Sequence, residues 1–199
     1  MDPPRQCRGD HKEERVDRER ALSLVREHVS NENMINHMLA TEAIMAALAD
    51  RFGEDRGRWA LAGLVHDLDA EETAETMDLH GLRTVEWLQS AGLEDPGILQ
   101  AIRAHNPANG SSIESRFDRA LFSADPLTGL ITAAALIRPE KKLALVELKS
   151  LKKRFKEPSF ARGARREDIA TCEELGIPLE EFLGLGLEAM KGVASEIGL

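Results

Sequence analysis

Residues 121–137 read Leu-Phe-Ser-Ala-Asp-Pro-Leu-Thr-Gly-Leu-Ile-Thr-Ala-Ala-Ala-Leu-Ile, with Asp125 as the single charged side chain. An apolar run of this length is a buried helix, because strands rarely exceed about ten residues and no period-2 alternation is present. A lone carboxylate inside such a helix is costly to bury, so Asp125 needs a helix end or a bound cation as its partner. Pro126 removes a backbone N–H and disfavours the helical region at Asp125, which predicts a kink at that step.

The same helical period continues on both sides of this run. Leu22, Val25 and Val29 form one stripe, and Asn31 can cap a long helix that runs to about Arg51 and ends at Phe52-Gly53. A third helix spans about Arg56 to His66, a polar loop covers Asp69 to Thr76, and a fourth helix carries His80, Thr84, Val85 and Leu88 to Gly92. Asp95-Pro96 opens a fifth, which Asn106-Pro107 stops before the apolar sixth helix. Past Pro139 the pattern predicts a helix from Lys141 to about Phe155, then two closing helices from about Arg166 and Leu179. No strand pattern and no internal repeat intervene. The expected fold is all-α: one helical domain over 21–199, with a functional core at 31–137 and further helices at 140–199.

The chain has 199 residues, 42% of them hydrophobic, so one domain with a substantial core is expected. Aromatics make up 4% and Tyr is absent, which disfavours a β-sandwich. Residues 1–20 alternate charges with almost nothing apolar and are expected to form a disordered tail. They show no signal peptide, and Cys7 and Cys172 alone give neither a disulfide framework nor a thiolate metal site, so a cytoplasmic setting is expected. The net charge of −9 argues against general nucleic-acid binding, and no membrane partner is expected.

Two features fit poorly with a plain core. The apolar segment Trp59-Ala-Leu-Ala-Gly-Leu-Val65 ends in His66-Asp67. Neighbouring side chains on a helix point about 100° apart, so this pair can share a ligand only where the helix ends. In addition, His37, His66, His80 and His105 all sit in helical, largely apolar contexts. One core histidine is usually just a satisfied core residue. Four of them, together with Asp67 and Asp125, point to metal, and imidazole plus carboxylate without thiolate suits Mn, Fe, Co, Ni or Zn.

The order His37, His66-Asp67, Asp125 resembles the signature of the HD superfamily of helical, metal-dependent phosphohydrolases. The resemblance spans about Asn31 to Ile137, and His80 and His105 are similar to the two extra histidines of dinuclear members. It implies one or two divalent transition-metal ions, the first on His37, His66, Asp67 and Asp125 and the second on Asp67, His80 and His105, with Asp67 as the bridge. It also implies hydrolysis of a phosphoester in a small phosphorylated molecule or nucleotide by a metal-activated hydroxide. Two ions roughly 3.5–4 Å apart are suited to that reaction. The same four-His, two-Asp set resembles HD-fold di-iron oxygenases of the myo-inositol oxygenase type. A metal-dependent sensing or interaction module is the third class.

The chain departs from that pattern in places. Asn-Pro-Ala-Asn-Gly follows His105 where the HD-GYP phosphodiesterases carry Gly-Tyr-Pro, and Asn33 stands where a trinuclear site would want a carboxylate. Members acting on alarmones or deoxynucleoside monophosphates place an acid four positions after the motif histidine, where this chain has Ala70. Asp69 and Glu71 flank that position and are the expected assisting acids, alongside Asp67. Residues 149–166 hold eight Lys or Arg against Glu157 alone. Such a run is often only a solvated face; its functional reading is capture of an anionic substrate, with Lys149, Lys152 and Lys153 as the phosphate-binding candidates.

Overall fold

Five of the α-helices among the described residues begin where a side chain accepts hydrogen bonds from the first free backbone N–H groups, which marks their starts more sharply than hydropathy does. The computed structural model describes residues 16–199, and all the regular structure among them is helical. Asp17 caps α1 (Arg18–His28), Asn31 caps α2 (Glu32–Phe52), and Asp55 caps α3 (Arg56–Val65). After a series of turns come α4 (Leu82–Ser90) and α5 (Pro96–Ala104), the latter capped by Asp95 with proline in its first turn. A reciprocal Ser115–Asp118 box starts α6 (Arg116–Leu136), followed by α7 (Leu148–Phe155), α8 (Arg166–Ala170) and α9 (Leu179–Gly192). The all-α reading of the sequence therefore holds.

The 121–137 run lies within α6, which packs against α2, α3, α5, α7, α8 and α9. Ala120, Leu121, Ala124, Leu127, Leu130 and Ile131 are fully buried, which makes α6 the axis of the core. The helix continues through Pro126 without a break, although Phe122 loses the amide its carbonyl would otherwise accept from. Among the described residues no helix is long and apolar enough to cross a membrane.

Three boundaries differ from the sequence reading. The expected disordered tail reaches too far: Val16 is buried, Asp17 is a cap, and Arg18 pairs with Glu42 on α2. The rest of that tail, residues 1–15, lies outside the described residues. His80 is not on α4, because Gly81 adopts left-handed φ of 84° and α4 starts only at Leu82. The helix expected from Lys141 starts at Leu148, because Lys141 is itself left-handed and a short 3₁₀ turn covers Leu143–Leu145.

Gly63 sets the distance between α3 and α2. A Cβ built there would lie 2.8 Å from the Thr41 carbonyl carbon and oxygen, inside any permitted contact. Both obstacles are backbone, so only separation of the two helices could relieve the clash. Gly63→Ala is expected to cost about 2 kcal/mol, or roughly 4–8 °C in Tm for a chain of this size. Thermal unfolding followed by circular dichroism checks this, and an unchanged Tm would show that α2 and α3 are not held at that spacing.

Candidate metal centre

The close approach at Gly63 places the C-terminal end of α3 against the middle of α2. His66 follows the last residue of α3, and Asp67 begins the turn beyond it, so the two adjacent side chains reach one site. His37 comes from α2 and Asp125 from α6. His80 sits in the turn before α4, and His105 follows α5. Six residues separated by up to 88 positions thus meet between four helices.

They meet as two clusters that share Asp67, one of His37 and His66 with Asp125 beside His37 and one of His80 and His105, and a further group of donors within 4.8 Å of one another, His66, His105 and Asp125, links the two. In the first, His37 Nε2 lies 3.2 Å from Asp125 Oδ1, 3.4 Å from Asp67 Oδ2 and 3.2 Å from His66 Nε2, and His66 Nε2 is 3.5 Å from Asp67 Oδ2. In the second, Asp67 Oδ1 is 3.2 Å from His105 Nε2 and 3.3 Å from His80 Nε2, which are 3.0 Å from each other. Donors about 2.1 Å from one ion are separated by about 3.0 Å in octahedral and 3.4 Å in tetrahedral coordination. The second cluster falls in that range, and the first spans 3.2–3.5 Å, reaching just above it.

Hydrogen bonds on the far side of each ring fix which nitrogen faces inward. His66 Nδ1 donates to the Gly63 carbonyl at 2.9 Å, and His105 Nδ1 donates to that of Ile102 at 2.5 Å. His80 Nδ1 donates to Asp69 Oδ1 at 2.8 Å. The Thr128 hydroxyl donates to the Asp125 carbonyl, which leaves its oxygen to accept from His37 Nδ1 at 2.7 Å. Each Nδ1 is thereby a donor and each Nε2 presents a lone pair to the site. In these tautomers no proton stands between His37 and His66 or between His80 and His105. Asp67 Oδ1 is buried and accepts no hydrogen bond. A buried set of lone pairs facing one another needs a cation, so the donor set fits a bound metal.

The electrostatics agree. Without an ion, a proton on His37 Nε2 takes the cation's place: burial alone would lower the imidazole, but hydrogen bonds from that proton to Asp125 and Asp67, together with their charges, outweigh it and push it up to about 10. Against the same penalty, Asp67 and Asp69 push His80 up to about 10. Positive charge is therefore stabilised at both clusters. Burial dominates at His66, which falls to about 4 and stays neutral. The Asp67 carboxyl remains well below the usual carboxylate range, because the surrounding histidines outweigh its burial.

The two expected assisting acids have other roles. Asp69 is fully buried and accepts from His80 Nδ1, from the Gly81 amide at 2.7 Å and from the Thr84 amide at 3.1 Å, so it orients His80. Glu71 points to the start of α2, where its oxygens accept from the amides of Ser30 and Asn31 and from the Ser30 hydroxyl. Neither carboxylate lines the cleft over the clusters. Lys149, Lys152 and Lys153 do not line the cleft over the clusters, and Lys152 instead pairs with Glu180 on α9. That cleft, about 210 Å³, is bordered by His80, His105, Asp125, Met77, Phe122 and Arg165 among others.

Sequence reading also missed the residues behind the six clustered side chains. Thr128 lies one turn after Asp125 on the same helix, a spacing that could have flagged it. Asn106, read only as a helix stop, donates to the carbonyls of Met77 and His80, and Asn109 donates to His80 as well, which fixes the His80 turn against α5.

Fold and site together define a helical protein with a His/Asp centre suited to divalent metal. The model of the HD domain family matches residues 34–143, more than half of the chain and all six clustered residues. The chain belongs to the HD domain family. No curated protein and no solved structure gave a match.

Asp67→Ala is expected to lose at least one ion, because it removes a donor from both clusters, whereas His105→Ala loses only the second. Asp69→Asn keeps an acceptor for His80 but not for the Gly81 amide. It is expected to weaken the second ion about 10–100-fold and spare the first. Elemental analysis beside far-UV circular dichroism reads all three, and two retained ions in a helical Asp67→Ala would contradict the bridge.

Proposed function

We propose that this protein is a dinuclear metal phosphohydrolase that cleaves a phosphoester in a small anionic molecule such as a nucleotide. The observation that carries this reading is the division of Asp67 between the clusters, with Oδ2 facing His37 and His66 and Oδ1 facing His80 and His105. One carboxylate shared in this way supports two ions close together, the arrangement suited to in-line displacement at phosphorus. Bound there, divalent ions supply neutralisation of phosphoryl charge and acidify water. The chain's own residues do the positioning: four Nδ1 bonds hold the imidazoles, Asp69 orients His80, and Thr128 links His37 to the Asp125 turn. His80, His105 and Asp125 border the cleft, so the centre is open to a small ligand on one side.

The donor set is purely nitrogen and oxygen, consistent with Mn, Fe, Co, Ni or Zn. The test is turnover of phosphoesters by metal-loaded protein under strictly anaerobic conditions. We expect hydrolysis that is lost on chelation and restored by a divalent ion. Activity that requires iron and consumes O₂ would replace this reading with that of a di-iron oxygenase.

A further inference from the structure

The cleft over the candidate metal centre is also lined by the loop between α7 and α8 and by the start of α8. Gly163, Arg165 and Asp168 reach it, and among the described residues that line it Arg165 is the sole Lys or Arg. Its Nε lies 3.0 Å from Asp168 Oδ2 and 3.3 Å from Glu167 Oε1. Among the described residues no hydrogen-bond acceptor meets Nη1 or Nη2. One edge of the guanidinium is thus held while the other is left open, and its side chain is 63% exposed.

The segment that carries Arg165 is built to stay in place. The neighbouring Arg166 turns inward and donates to the backbone carbonyls of Phe155, Phe160, Ala161 and Ala164, collecting the whole loop around one guanidinium. Ala161 within it has a left-handed φ of 44°, a strain that a freely chosen loop would avoid. The cleft also has apolar lining, from Met77, Pro107, Phe122 and Pro126. Met77 is 46% exposed, although Asn106 fixes its carbonyl. An exposed thioether beside a polar centre offers an adaptable contact for a ring or alkyl group. At about 210 Å³ the cleft is smaller than the roughly 300–1,000 Å³ typical of drug-sized ligands.

We propose that Arg165 binds the phosphoryl oxygens of the substrate, and that, among the small phosphorylated molecules, the substrate is a phosphomonoester smaller than a nucleotide, with an organic part that is compact and apolar next to the phosphate. This rests on the phosphohydrolase reading. The open Nη edge matches two phosphoryl oxygens in a way no lysine can, and the apolar lining takes the substituent. The basic character of residues 149–166 thus reaches the centre through one arginine rather than through the lysines of α7.

The experiment compares wild type, Arg165→Ala and Arg165→Lys, each purified with its metal. It measures metal content, inorganic phosphate binding by calorimetry, and hydrolysis of p-nitrophenyl phosphate against its diester, bis(p-nitrophenyl) phosphate. We expect Arg165→Ala to keep its metal and helicity while phosphate affinity falls and KM rises by about tenfold or more. Arg165→Lys should recover only part of the loss. Wild type should prefer the monoester. Unchanged phosphate binding in Arg165→Ala would overturn the role of Arg165 and leave the metal reading standing, and preference for the diester would overturn the substrate class. A wild-type protein that holds no metal, or hydrolyses neither ester, would remove the phosphohydrolase reading and this inference with it.

Discussion

Four hydrogen bonds from histidine Nδ1 atoms, to Gly63, Ile102, Asp69 and Thr128, are the constraint on which the rest of the site depends. They convert three buried imidazoles and the partly exposed one of His37 into four inward lone pairs around a carboxylate that has no donor on one oxygen. Without a cation that arrangement is costly. With one, each contact becomes favourable, and metal binding is then linked to the stability of the folded chain. Two of the four acceptors are main-chain carbonyls three residues before the histidine, so His66 and His105 are oriented simply by ending their helices there.

The fold serves that constraint by bringing helix ends together. Gly63 lets α3 approach α2 closely, and Gly81 both turns the chain before α4 and allows contact with the Ile102 carbonyl, 2.8 Å from where a Cβ would stand. Asp69 then ties the His80 turn to the start of α4 through the Gly81 and Thr84 amides. Glu71, Asn106 and Asn109 close the same turn onto α2 and α5. The centre is held by local backbone interactions as much as by the apolar core.

Much of this was legible before any coordinates. Asp125 stood out because a charge inside an apolar helix needs a partner, and His66-Asp67 stood out because such a pair converges only at a helix end. Both expectations concern one residue type in one local context, where sequence is informative. Asp69 and Glu71 were legible as acids near the motif but not as acceptors, because their partners at Thr84 and Ser30 lie in other elements. Arg165 was hidden in a basic run where eight similar charges look alike, and only the packing of its loop separates it from Lys149 or Lys153. The start of α1 was missed for a related reason: the contact that extends it to Arg18 is with Glu42, on another helix.

The central claim is that Asp67 joins two metal ions. Anomalous diffraction from crystals of the protein purified with its metal, collected at the absorption edge of that metal, tests it most directly. The account predicts two anomalous peaks per chain, one beside Asp67 Oδ2 and His66 and one beside Asp67 Oδ1, His80 and His105, each within about 2.0–2.3 Å of its donors. A single peak, with His80 and His105 more than about 4 Å from any ion, would contradict it.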